Sequence, residues 1–151
     1  MKKPVLFLRV AAVLTFIHAV LHTIGGVFGE AGPGPAAIAV EAMKANQFLL
    51  MGNTRSYWEF YRGLGLVVTI MLTAEAALFW LLGSLAKTDA RRLRPIVGTF
   101  LVAYAALAMN SYAYFFLAPV IVESLIAACL GLAIVTAKAE AAAYGGEAQR
   151  V

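Results

Sequence analysis

His18 and His22 stand four residues apart in an apolar stretch, a spacing that places both imidazoles on one face of an α-helix. Side chains so placed can pass a proton, hydrogen bond to a neighbouring helix, or chelate one metal ion if a third ligand such as Glu123 arrives from elsewhere. The intervening Ala19-Val20-Leu21 carries no glutamate, so the zinc-hydrolase pattern is missing. Two axial bonds to opposite faces of one haem are also excluded, because both rings leave the helix in nearly the same direction. Interhelical hydrogen bonding or contact with a small molecule ranks ahead of a metal or haem site, and no resident cofactor is expected. The single cysteine, Cys129, rules out a disulfide framework and a cysteine-based metal cluster.

The elements that must position these groups follow from composition. Of 151 residues 62% are hydrophobic and 13% charged, against about half and about a quarter in soluble domains. A domain of this size leaves about a third of its chain surface exposed, too much to cover with so few polar residues. The expected solvent is lipid. Four apolar runs, about 5–28, 57–82, 95–116 and 119–137, each approach the roughly 20 residues that cross about 30 Å of hydrocarbon. The fold class expected is all-α: an integral membrane four-helix up-down bundle forming one domain over 1–151, with a short external helix or loop between spans one and two. The first run is too long for the core of a cleaved signal, and Ala37-Ile38-Ala39 lies too far beyond its end to be its cleavage site.

Basic residues orient the bundle, because they stay on the cytoplasmic side. Lys2, Lys3, Arg9, Lys87, Arg91, Arg92, Arg94, Lys138 and Arg150 fall on one side; Lys44, Arg55 and Arg62 fall on the other. Both termini are therefore expected in the cytoplasm of an inner-membrane, multi-pass protein, with 29–56 external and 138–151 a cytoplasmic, fraying tail. The Lys87–Arg94 cluster is read as this topology signal, so no nucleic-acid partner is expected. Within the external segment, Gly29–Pro35 is a flexible link, and Pro35 and Gly52 bracket a short helix over 36–51. Ser56-Tyr57-Trp58-Glu59 has the form of a capping box at the start of span two.

Helices meet in lipid through small residues and shared hydrogen bonds. The stripes that fit are Ala11, Thr15, His18, His22, Gly25 and Gly29 in span one, and Arg62, Gly65, Thr69, Thr73 and Ala76 in span two. Spans three and four offer Ala103, Ala106, Asn110 and Ala113, and Ser124, Ala127, Ala128 and Gly131. Counting from each midpoint puts His18 a few ångströms outside the midplane and His22, Asn110, Tyr112 and Glu123 roughly 6 to 10 Å outside it. Arg62 falls about 15 Å out, where it can pair with Glu59, reach down toward Glu123, or meet a lipid phosphate. Polar groups costly in lipid are functional candidates by default. Glu75 lies instead toward the cytoplasmic side, where it can bond Tyr104, couple protons, or face a second copy of the chain.

The segments Phe16–Gly26, Met51–Gly63 and Asn110–Tyr112 resemble those of small four-span bacterial membrane proteins that have no established reaction. That resemblance implies an inner-membrane location and transfers no catalytic residue. Small multidrug exporters also have four spans and a membrane glutamate, but theirs is in span one, where this chain carries histidines.

The function expected is a pocket in the outer half of the bundle, lined by His18, His22, Arg62, Asn110, Tyr112 and Glu123, that takes a lipophilic small molecule or membrane lipid with a polar or anionic head. Whether it also catalyses is left open, since no nucleophile motif is present. One alternative is a proton-coupled transporter that uses Glu75 in a homodimer; another is a metal site on His18, His22 and Glu123, or haem.

Overall fold

Runs of leucine, alanine, valine and isoleucine with few breakers build long helices here. A computed structural model of the protein describes residues 2–148, and side chains as far as residue 137. The described chain is 82% helical, with five helices. Helix α1 (Lys3–Leu21) continues as a π-helical segment, His22–Val27. Helix α2 is Pro35–Ala45, followed by strands β1 (Gln47–Leu50) and β2 (Asn53–Ser56). Helices α3 (Tyr57–Asp89), α4 (Arg94–Tyr114) and α5 (Leu117–Ala148) complete the chain. Four stretches are long and apolar enough to cross a membrane: Lys3–Val27, Tyr57–Asp89, Arg94–Tyr114 and Leu117–Ala137.

The chain forms two compact units, one from its start to His18 together with everything from Thr73 onward, the other from Ala19–Leu72. The core of the first unit takes Val5, Leu8, Ala11 and Ala12 from α1 and Phe79, Leu82 and Ala86 from α3. Val97 and Tyr104 of α4 and Ile126, Leu130 and Ala133 of α5 complete it. Only two residues separate α4 from α5, and Gly98 lies near Ile134 while Ser111 bonds Glu123, so the two helices are antiparallel neighbours. Phe79 meets the Phe100 ring edge-on at 5.1 Å between centroids.

Several boundaries differ from those read in the sequence. Helix α3 continues past Leu82 to Asp89, because Leu85, Ala86 and Lys87 are good helix formers and Ala86 is buried in the core. The Lys2 ammonium donates to the Lys87 carbonyl near the end of α3 (3.1 Å). Helix α5 likewise runs on through most of the expected tail to Ala148; Arg150, counted in the charge asymmetry, lies outside the described residues.

The segment between the first two long helices departs most. The helix expected over 36–51 stops at Ala45, where the Asn46 amide side chain bonds the Ala42 carbonyl (2.8 Å). A β-hairpin follows, pairing Gln47 with Ser56 and Leu50 with Asn53. Its tip is Met51-Gly52, with φ of 50° and 81°, and both signs suit the tight turn whose twist matches that of the paired strands. Gly52 is thus a turn residue, where the sequence suggested a helix stop. An apolar run as short as Phe48-Leu49-Leu50-Met51 has no period that separates strand from helix. Phe48 anchors the hairpin by packing on Tyr57 and Phe60, with centroids 4.9 and 5.7 Å away.

Candidate functional site

The capping box forms as its spelling predicts. The Ser56 amide donates to Glu59 Oε2 (2.7 Å), and the Glu59 amide donates to Ser56 Oγ (3.2 Å). This fixes the first turn of α3, and with it Trp58 and Arg62. Glu59 is occupied by the cap, and among the described residues Arg62 makes no ion pair.

Arg62 instead lies over the Phe28 ring, 4.8 Å from its centroid, and lines a cleft of about 450 Å³. The walls are Val27–Ala31, one side of α2 through Ala37, Val40, Glu41 and Lys44, and Trp58 and Arg62 of α3. All belong to the unit of residues 19–72. Lys44 is held by Glu41 at 2.7 Å and stands 6.0 Å from the Trp58 ring. The cleft therefore combines aromatic and aliphatic walls with two carboxylates, Glu30 and Glu41, and with one guanidinium that makes no ion pair among the described residues. Among its lining residues none is a serine, threonine, cysteine or histidine, so the groups present can bind and orient charge.

His22 belongs to the same unit but lines no part of this cleft. The helix passes from α to π geometry at His22, directly after Leu21. Its Nε2 lies 3.1 Å from the Gly65 carbonyl oxygen, beside a Thr23–Thr69 hydroxyl contact of 2.9 Å. These two links join the π-helical segment to α3.

The remaining expected site residues, His18, Asn110, Tyr112 and Glu123, lie in the other unit. Glu123 is buried and accepts from the Ser111 hydroxyl, while its Oε2 has no partner among the described residues. Asn110 is exposed and Tyr112 is 80% exposed, so α4 does not gather them with Glu123. His18 is half-buried. Ser111 and Thr15, both buried, are the polar residues that the sequence reading did not rank as site groups; their signal was register, since Ser111 stands seven residues beyond Tyr104 on α4.

Glu75 is bonded within its own chain. Tyr104, fully buried, donates its hydroxyl to Glu75 Oε2 (2.6 Å) and lies 3.4 Å from Thr15 Oγ1, which donates to the Ala11 carbonyl (2.9 Å). A Thr15–Tyr104–Glu75 chain thus links α1, α4 and α3. Among the described residues no three of His, Cys, Asp and Glu gather as a metal site requires. Of the residues that line the cleft, Arg62 is the one the sequence marks as a site group; Trp58 stands out there only within the capping-box segment, and Lys44 only among the basic residues.

Comparison of the chain with protein-family models, with curated proteins and with solved structures gave no match.

Proposed function

We propose that this is a multi-pass protein of a bacterial inner membrane, its four apolar helices forming an up-down bundle with both termini in the cytoplasm. In this reading the Arg62 cleft binds a lipophilic molecule with an anionic or polar head at the outer face. The observation that carries the proposal is the Arg62 guanidinium, which makes no ion pair among the described residues and lies over the Phe28 ring in a cleft that Trp58 also lines. A guanidinium matches phosphate or carboxylate oxygens with parallel N–H donors, while apolar walls accept an acyl chain or ring. Trp58 and Lys44 complete the head site, since an indole and a long amine both suit a membrane interface.

Orientation has a direct test. In a cysteine-free Cys129→Ala background, an impermeant thiol reagent added to intact cells is expected to label Asn46→Cys and spare Lys87→Cys; the reverse pattern would overturn the topology. For the cleft, the Trp80→Phe variant leaves Trp58 as the only tryptophan. Phosphatidylglycerol with brominated acyl chains is expected to quench Trp58 in detergent micelles, and Arg62→Ala should weaken the half-maximal concentration by about tenfold, the loss of a charge-assisted bond of roughly 1.5 kcal/mol. Quenching with the same midpoint in both proteins would remove the cleft assignment.

A further inference from the structure

The first unit carries its own concentration of charge, at the end where α1 begins, α3 ends and α4 begins. Lys2, Lys3, Arg9, Lys87, Arg91, Arg92 and Arg94 lie in these segments with one acid, Asp89, which is engaged by Arg92 at 3.0 Å. Six of these cations stand on the ends and turn, where a positive-inside signal belongs. Arg9 does not. It lies six residues into α1, about 9 Å along the axis from Lys3, in a stretch otherwise apolar.

Its surroundings are built rather than incidental. The guanidinium carbon sits 3.5 Å from the centroid of the Trp80 ring, a stacked cation–π contact. Nη2 donates to Ser84 Oγ (2.8 Å), which positions the fork toward the charged end of α3. Nη1 is buried and has no acceptor among the described residues. A buried, charged donor left without an acceptor is costly, and more so where no water is at hand. Among the described residues no carboxylate forms an ion pair with it.

We infer that Arg9, braced by Trp80 and Ser84, forms a second lipid site that grips the phosphate of an anionic phospholipid in the leaflet at the α1 start. The phosphate supplies the acceptor that Nη1 lacks. Arg9 is only half-buried, so a modest swing of the guanidinium turns that nitrogen to the lipid-facing surface while the ring stack is kept. Trp80 is 51% exposed and suits the headgroup level, where indoles concentrate. The surrounding lysines and arginines raise the local concentration of anionic lipid, as basic side chains beside a charged leaflet do. Lipid phosphate is favoured over free phosphate because the stack lies on an apolar helix face, where acyl chains pack. The inference rests on membrane embedding but not on the Arg62 cleft, which is in the other unit.

The test uses the complementary tryptophan. With Trp58→Phe in the full-length protein, Trp80 is the only indole and reports on this site alone. Brominated phosphatidylglycerol is expected to quench it at about one tenth the mole fraction that brominated phosphatidylcholine requires, the difference a charge-assisted bond makes. Arg9→Gln should erase that preference. Arg9→Lys, which keeps the charge but not the planar fork, should reduce it several-fold, and it carries the test if the glutamine variant does not fold. Equal quenching by the two lipids, or an undiminished preference in either variant, would overturn the site. Displacement of the lipid by millimolar inorganic phosphate would overturn the lipid assignment in favour of a free anion.

Discussion

Replacing Tyr104 with alanine is expected to destabilise the protein by about 3–5 kcal/mol, the range for emptying a large aromatic position in a packed interior. Tyr104 is fully buried, its ring 5.9 Å from that of Phe79, and its hydroxyl on α4 meets Glu75 of α3 and Thr15 of α1. Tyr104→Phe keeps the ring and removes the hydroxyl, so Glu75 Oε2 loses its donor; the expected cost is about 1–3 kcal/mol. Glu75→Gln keeps a carbonyl acceptor for the Tyr104 hydroxyl, so it should cost less than Tyr104→Phe, about 1 kcal/mol or below. Reversible unfolding in mixed micelles measures all three. If Tyr104→Ala costs under 1 kcal/mol, the core described for the first unit is wrong. The glutamine variant separates a structural Glu75 from a coupling one: unchanged proton-driven cation uptake in proteoliposomes, or no uptake by either protein, rejects the transporter alternative.

The second large effect is expected in the other unit, at Gly65. A Cβ built there would lie 2.9 Å from Val27 Cγ2, closer than carbon atoms approach, and Val27 is itself buried. Gly65→Val should therefore cost about 1–3 kcal/mol by overpacking. It should also displace the Gly65 carbonyl from His22 Nε2, loosening the join between the π-helical segment and α3. The Val27→Ala/Gly65→Ala double variant is expected to recover part of the loss seen in Gly65→Ala, since the obstructing methyls are gone; residues in contact couple in this way. Strict additivity of the two single changes would mean that Gly65 and Val27 do not touch. Because Val27 and Arg62 both line the cleft, Gly65→Val should also weaken Trp58 quenching by brominated phosphatidylglycerol.

The sequence by itself determined the elements whose cause is local or compositional. Four apolar runs of sufficient length become helices, the arrangement in which a backbone closes its hydrogen bonds within its own segment. The Ser56–Glu59 box forms because both partners are three residues apart on one turn. The Glu75–Tyr104 bond was legible as one of three options for a carboxylate in an apolar helix.

Tertiary structure decided what composition leaves degenerate. On α4 and α5 the inward face is not the small-residue stripe: Val97, Tyr104 and Ser111 face in on one, and Glu123, Ile126, Leu130 and Ala133 on the other, while Ala103, Ala106 and Ser124 are exposed. Alanine is equally at home against lipid and against protein, so its spacing alone cannot select a face. Depth along a helix, obtained by counting residues, likewise put Asn110, Tyr112 and Glu123 in one layer but carried no azimuth. Tyr112 consequently points out where Glu123 points in. The hairpin over 47–56 required two strands to find each other, a pairing that no period in a four-residue run specifies. The cleft depended on it as well, because the cap that starts α3 directly after β2 sets where Trp58 and Arg62 stand opposite α2.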